Sequence, residues 1–314
     1  MRNSSKIEIQ SAVAKIDWRI RRSLRNRILD EATRNSSDPY LSADSYYAAC
    51  TIRISRINDL SKLSFSSNYN NIFLNGDLVD NLIDFCHNSK EILKIGKIVI
   101  ADTDQSFHQD KLKTLLKYAA KIYCTNYVSD SSKKIIGIPI GLESQSYLSA
   151  GRTKDFAIKS FKTTSKKRIG ILIAWNDETA LNSRVESRKI LCKSDQSFEV
   201  KARIPATLVH KLMFDSLFVA CPRGNGLDTH RFWESLYLGA IPVVLRSEAL
   251  PVHYEWPSLI TESWEEIGDL DRKQLEIEYI KRINQRSELI QKSQDLLRSI
   301  VGHGGIIGKS NNLH

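Results

Sequence analysis

Three basic side chains, Arg223, His230 and Arg231, lie in the stretch Leu217 to Leu245, which reads LFVACPRGNGLDTHRFWESLYLGAIPVVL. Guanidinium groups bind phosphate oxygens through paired hydrogen bonds. The order of residues in this stretch also predicts a helix that begins near these three side chains. The first turn of a helix carries unpaired N–H groups and about half a positive charge. These features together predict a site for an anionic ligand, in particular a diphosphate.

The loop before the helix contains two glycines and two short polar residues. We expect Gly224 and Gly226 to let the chain turn tightly and a ligand approach the backbone. We expect Asp228 or Thr229 to cap the helix, since short polar side chains are favoured at the N-cap. The loop would thus contribute to the predicted anion site.

Glu234 shares a helix face with His230, four residues before it. A carboxylate one turn below a phosphate site can accept hydrogen bonds from both ribose hydroxyls. A phosphate site together with a ribose site predicts a nucleotide ligand, with Glu234 binding the ribose. The alternative is a surface ion pair between Arg231 and Glu234, which would add about 0.2–0.5 kcal/mol to the helix.

Two apolar runs position this chemistry. Leu217–Ala220 and Ile241–Leu245 are predicted to be buried strands, and the helix between them is predicted to end at Gly239. The segment is therefore predicted to be one βαβ unit.

The run from 222 to 244, PRGNGLDTHRFWESLYLGAIPVV, resembles the donor-binding motif of exostosin-like glycosyltransferases. It is more distantly similar to the fucosyltransferase pattern, in which a helical Glu-Ala/Ser-Leu precedes Gly-x-x-Pro-Val-Val. The resemblance is specific over this segment and weak elsewhere in the chain. It implies an α/β fold of the GT-B type, with two Rossmann-like domains, a cleft between them, a nucleotide-sugar held by the C-terminal domain, and an inverting reaction.

The rest of the chain alternates strands and helices, which favours parallel sheets. Residues 1–150 are predicted to form an acceptor-binding domain and residues 151–314 a nucleotide-sugar-binding domain, joined through the polar stretch Gly141–Lys167. By analogy with GT-B proteins, the last helix is expected to cross back to the first domain. The other predicted strands are Ile98–Ala101, Lys121–Thr125, the extended Ile135–Gly141 and Arg168–Trp175, and helices are predicted over Asp110–Ala120, 183–192 and, in periodicity, Glu265–Ser299.

Asp102 and Asp104 directly follow a predicted strand, where the carboxyl end of a parallel strand meets the crevice of a sheet. An inverting transferase needs a base within hydrogen-bond reach of the acceptor hydroxyl, and we choose Asp104. Asn126 and Glu143 are secondary cleft candidates; Glu143 ends a Pro-Ile-Gly-Leu-Glu run found in the same relatives. Arg184 is expected to reach a phosphate, because Asn-x-Arg at 182–184 resembles the phosphate-contacting pair of the fucosyltransferases; a simple surface arginine is the alternative.

The same Asp-Thr-Asp triplet permits a rival interpretation. In metal-dependent transferases of the GT-A type, Asp-x-Asp after a strand holds a divalent cation on the donor diphosphate, because carboxylate oxygens suit magnesium and manganese. We expect no metal site, since the basic residues of the donor loop balance phosphate charge.

Composition fits an ordinary folded chain of 314 residues with 41% hydrophobic residues, a net charge of +10 and a pI near 9.3. The five cysteines show no CxxC spacing, which suggests a reducing compartment.

No apolar run is long enough to span a bilayer and MRNSSKIEIQ lacks a signal-peptide core, so we expect a cytoplasmic protein. The basic stretch 15–28 predicts an amphipathic helix, either packed on the N-terminal domain or attached to the membrane periphery.

The resemblance therefore implies an enzyme that transfers a sugar from a UDP- or GDP-linked donor to a glycan or glycolipid acceptor, with inversion, in surface polysaccharide or glycan synthesis. No further cofactor is expected. No nucleic-acid-binding motif appears, so nucleic acid is not an expected partner. The alternative from another class is a glycan-binding protein of the same fold without turnover.

Overall fold

The computed structural model describes residues 36–89, 92–129, 132–145, 153–156, 167–201, 203–283 and 288–301. The basic stretch 15–28 lies outside these ranges, as does most of the predicted connection between the domains. The described chain is an α/β structure with two parallel five-stranded sheets.

The first sheet has its strands in chain order, β1-β2-β3-β4-β5. Ile98, Val99 and Ile100 of β3 are fully buried, as expected for a central parallel strand covered on both faces. Its elements are α1 (Ala43–Ala49), β1 (Ile52–Ile54), β2 (Asn68–Asn75), α2 (Val79–His87), β3 (Lys94–Ala101), α3 (Gln109–Leu115), β4 (Ala119–Cys124) and β5 (Ile135–Gly137), with short 3-10 turns at Ile57–Lys62 and Gly76–Leu78.

The second sheet has the order β10-β9-β8-β6-β7, so its strands do not follow the chain. Helices connect consecutive strands, which places their crossovers on the sheet faces. Its elements are α4 (Thr153–Phe156), β6 (Ile169–Ile173), α5 (Leu181–Leu191), β7 (Ser197–Glu199), α6 (Ala206–Phe214), β8 (Ser216–Ala220), α7 (His230–Leu238), β9 (Ile241–Leu245), α8 (Pro251–Tyr254), β10 (Leu259–Thr261), α9 (Trp264–Gly268), α10 (Arg272–Ile283) and α11 (Leu289–Val301).

The predicted βαβ unit is confirmed as β8, α7 and β9, and Gly239 ends the helix in the left-handed conformation at φ 84°. The predicted helix over Asp110–Ala120 is too long, because α3 ends at Leu115. Ala119 instead pairs with Ile95 in β4, so strand pairing overrides the helix propensity of two alanines. The region 265–299 is not one helix but parts of α9, α10 and α11.

The helix α11 ends against the first sheet. Lys97 Nζ donates to the carbonyls of Ser299 at 2.7 Å and Ile300 at 3.2 Å, and Asn71 Nδ2 donates to Ile300 O at 3.2 Å. A cation at the last carbonyls of a helix is favourable, because that end carries partial negative charge. This helix therefore ties the end of the described chain to β2 and β3.

All five cysteines are free thiols; Cys192 is exposed and the other four are buried. In the described part of the chain, no helix combines the length and the apolar character that crossing a bilayer requires.

Candidate anion site at the edge of the second sheet

The strand order of the second sheet reverses between β6 and β8. From β6 the chain goes outward to β7 on one side and then returns to β8 on the other. Loops that leave the carboxyl ends of two such strands go in opposite directions and open a crevice between them, where α/β sheets bind ligands. Here the two loops are 174–180 and 221–229, and the second contains the glycine-rich run.

Arg184 is held rigidly beside this crevice. Its Nε donates to Arg223 O at 2.9 Å, and its Nη1 donates to Asn176 O at 2.7 Å and to Thr179 Oγ1. Its Nη2 lies over Gly224 and has no protein acceptor among the described residues. Burial lowers the pKa of Arg184, and the positive charge of Arg231 lowers it further. Burial and Arg231 therefore disfavour the charged guanidinium, and a bound anion would stabilise it.

Arg223 is fixed through its backbone. Its N–H donates to Glu248 Oε2 at 3.0 Å, while its carbonyl accepts from Arg184. The half-buried side chain makes one long contact, from Nε to Gly224 O at 3.5 Å. In the described ranges, no carboxylate lies within ion-pair distance of the guanidinium of Arg184 or Arg223.

The tight-turn prediction for the two loop glycines is wrong, whereas close approach of a ligand to their backbone stays a prediction. Neither has a positive φ, so a tight turn is not the reason for glycine here. A Cβ on Gly224 would lie 3.0 Å from Arg184 Nη2, and one on Gly226 would lie 3.2 Å from the Asn126 side chain. Gly224 therefore makes room for the arginine and Gly226 for the first sheet's loop.

The capping prediction for α7 is wrong in its chemistry. Thr229 occupies the N-cap, but its side chain makes no cap hydrogen bond and its Oγ1 is buried without a partner. Asp228 points into the interior with its side chain 0% exposed. It accepts from Trp233 Nε1 at 2.8 Å, Ile140 N at 2.8 Å and His253 Nε2 at 3.1 Å. Asp228 thus supports the loop from behind and does not face a ligand.

We call the described chain up to residue 145 the first region and the described chain from residue 153 the second region. His230 lies at the start of α7 and contacts the first region. Its Nδ1 is 2.8 Å from Gly141 O, and because a carbonyl only accepts, Nδ1 carries the proton. The Nε2 atom of the half-buried ring is therefore the atom available to a ligand.

Arg231 and Glu234 form an ion pair, Nη1 to Oε2 at 3.0 Å. The pair is not the surface pair of the alternative interpretation, because the Glu234 side chain is only 4% exposed. His210 lies nearby; burial lowers its pKa, which the negative charge of Glu234 opposes. The ribose-binding role of Glu234 stays a prediction.

The loops after β3 and β4 meet the glycine-rich loop from the opposite side. Asp104 is exposed, and its Oδ2 accepts from Asn225 Nδ2 at 3.3 Å. Asn126 is buried at φ 53°, donates to Thr103 O at 3.1 Å and accepts from Asp228 N at 2.9 Å. The proposed base and the anion loop are thus adjacent, and Asn126 links them.

Asp102 and Glu143 are both half-buried, and Asp102 adopts a left-handed backbone at φ 62°. Among the residues that the structure describes, no group of three or more His, Cys, Asp or Glu side chains is arranged to hold a metal ion.

The sequence reasoning missed several residues that build the site. Glu248 binds the backbone of Arg223 and accepts from Ser183 Oγ at 2.7 Å, and Asn176 and Thr179 orient Arg184. Their position is the available signal: each of Asn176, Thr179 and Glu248 lies within a few residues of the carboxyl end of a predicted strand.

A scan against protein-family models finds no match for the chain. No curated protein matches it significantly either.

Proposed function

We propose that this protein is a glycosyltransferase of the GT-B type, similar to the exostosin-like enzymes, with a donor-binding domain over 151–314 and an acceptor-binding domain over 1–150. It transfers a sugar from a UDP- or GDP-linked donor to a glycan or glycolipid hydroxyl. The observation that carries the proposal is the arrangement of Arg184 and Arg223 at the switch point between β6 and β8. Two guanidinium groups that have no ion-pair partner among the described residues, held over a glycine loop, suit a diphosphate.

The diphosphate would lie between Arg184 and Arg223, with His230 Nε2 and Arg231 at its margin. As the bond from the anomeric carbon to the diphosphate oxygen breaks, the leaving group takes the electron pair and its negative charge grows. Preorganised donors at that position contribute about 2.7–4 kcal/mol each in known enzymes. Glu234 would accept hydrogen bonds from the ribose hydroxyls.

Across the cleft, Asp104 takes the proton of the acceptor hydroxyl. At the same time the hydroxyl oxygen attacks the anomeric carbon from the face opposite the diphosphate. The product has inverted configuration. The exposed position of Asp104 and its hydrogen bond to Asn225 support this role, because they place the carboxylate beside the donor loop and leave it open to an acceptor.

Calorimetry with UDP and GDP tests the donor site. Arg184→Ala and Arg223→Ala should each weaken binding at least about tenfold, because each removes a charge-assisted hydrogen-bond donor. Arg168→Ala is the matched control: it removes the same charge beside β6 at the opposite, amino edge of the same sheet, where Arg168 is 73% exposed. Equal affinity in the wild type and both site variants would refute the assignment.

A further inference from the structure

We propose that Glu248 is the positioning residue of the anion site, the group that holds its two arginines at a fixed separation. The inference rests on the proposed function, since it concerns how that site binds a diphosphate. Glu248 lies just after β9, on a third loop at the carboxyl edge of the second sheet.

The two oxygens of Glu248 bind two different elements. Oε1 accepts from Ser183 Oγ at 2.7 Å, and Ser183 immediately precedes Arg184 in α5. Oε2 accepts from the backbone N–H of Arg223 at 3.0 Å. One carboxylate therefore fixes both the helix that carries the first arginine and the loop that carries the second.

The link closes a ring of hydrogen bonds. Arg184 Nε donates to the carbonyl of Arg223, whose N–H donates to Glu248, which in turn accepts from Ser183 beside Arg184. Two of these contacts hold the backbone of Arg223, one at its N–H and one at its carbonyl, and the third ties Glu248 to the helix that carries Arg184. Preorganised groups bind more tightly because less freedom is lost on binding.

A carboxylate beside an anion site also has an opposing effect, because its negative charge repels phosphate. Positioning and repulsion predict different outcomes for the amide substitution. In Glu248→Gln, the amide oxygen still accepts from Arg223 N–H, and the amide nitrogen donates to Ser183 Oγ, since a hydroxyl can also accept. Both links are kept and the charge is removed.

The test measures dissociation constants of the wild type, Glu248→Ala and Glu248→Gln for UDP, GDP and inorganic diphosphate. We expect Glu248→Ala to weaken binding about tenfold, because the loop is released. Glu248→Gln should bind as tightly as the wild type or more tightly. Glu276→Ala, on α10, is the control of equal charge change; it removes a half-exposed pair with Arg272 and should leave affinity unchanged.

Equal effects of the Ala and Gln substitutions, in either direction, would overturn the proposal, because they would mean that Glu248 acts through its charge alone or not at all. Thermal melts of both variants show whether a loss of affinity is merely a loss of folding. A melting temperature that falls in Glu248→Ala with affinity unchanged would also overturn it.

Hydrogen exchange separates this inference from the proposed function. Peptides covering 217–227 should exchange faster in Glu248→Ala than in the wild type, and at the wild-type rate in Glu248→Gln. If the wild type binds none of the three probes, the donor site is refuted, yet the exchange pattern still decides whether Glu248 holds the loop. Unchanged exchange in Glu248→Ala would refute that holding role.

Discussion

The two parallel sheets differ in the order of their strands, and their carboxyl edges differ accordingly. In the first sheet each strand lies beside its predecessor, so successive loops run the same way and pack against one another. In the second sheet the order reverses between β6 and β8, and the loops diverge. Arg184 and Arg223, which have no ion-pair partner in the part of the chain that the structure describes, lie at the reversal, whereas Asp104 and the buried Asn126 lie at the facing edge of the first sheet.

The order of the strands thus determines which sheet has a crevice at its carboxyl edge and which has that edge filled by packed loops. A crevice needs diverging backbones, because only then do loop N–H groups and side chains face open space. The first region still matters to the site, since Asn126, Ile140 and Gly141 all bond to the loop or helix that follows β8. Under the proposed function, the second region supplies the binding charge, and the first supplies the loop support and the base Asp104.

The largest effect is expected where the two regions are joined, at Asp228. Its carboxylate accepts from Trp233 and His253 of the second region and from Ile140 N of the first. Asp228→Ala leaves three buried donors without an acceptor, so the free energy of unfolding should fall by about 3–5 kcal/mol. Urea denaturation measures the loss.

Asp295→Ala is the matched control for Asp228→Ala. Asp295 forms an exposed pair with Arg298 on α11, and such pairs contribute at most about 1 kcal/mol. A loss of less than about 1 kcal/mol in Asp228→Ala would show that the regions do not depend on this junction.

The interior position of Asp228 could not be predicted from the sequence. Locally, an aspartate before a helix favours the cap, and the strands and helix around it were recognisable from apolar runs and from Gly239. Two of its partners are distant in sequence: Ile140 is brought to it by the packing of the two sheets, and His253 by the fold of the second region. Likewise β2 was not predicted, because Asn68–Asn75 begins with polar residues that give no strand pattern.

A second prediction concerns the division of roles between the sheets. Asp104→Asn should lower the rate of sugar transfer about 100-fold or more, because general-base catalysis contributes on that order. If no acceptor is known, the rate of donor hydrolysis should fall by the same factor. Affinity for UDP or GDP should change less than about threefold, since the second sheet supplies the binding charge. Turnover assays and calorimetry on the same protein measure the two quantities.

Asp110→Asn provides the comparison for Asp104→Asn, because it removes one carboxylate charge from an exposed pair with Lys113 on α3 of the same region and should leave turnover unchanged. Wild-type turnover in Asp104→Asn would assign the base elsewhere. A large change in nucleotide affinity would instead place Asp104 in the anion site and blur the distinction between the two edges.

The residue pattern was sufficient to predict the strand and the helix on either side of the glycine-rich loop, which are confirmed as β8 and α7. The anion chemistry of the loop stays a prediction. The residues that orient the loop were not predicted, since Ser183, Thr179 and Glu248 have no distinctive spacing. Their roles arise from the strand order, which the sequence pattern alone leaves open.

The smallest expected effect is a difference in acid sensitivity between the two regions. In the first, burial raises the pKa of Cys50 to about 12 and that of Cys86 to about 11, so both thiols stay neutral between pH 5 and 8. In the second, burial lowers the pKa of His210 below its ordinary value of 6.5. Glu234 and Asp155 oppose that shift and Arg231 adds to it.

Because the unfolded chain binds a proton at His210 more readily than the folded chain does, the free energy of unfolding should fall as the pH drops below about 6.5. One such group contributes a slope of at most about 1.4 kcal/mol per pH unit. His210→Phe, which keeps the ring against Phe156, should flatten the slope between pH 6.5 and 5 in urea titrations, whereas His87→Gln, at an exposed site in the first region, should not. An unchanged slope in His210→Phe would place the acid sensitivity elsewhere, and a slope flattened by His87→Gln would move it to the first sheet.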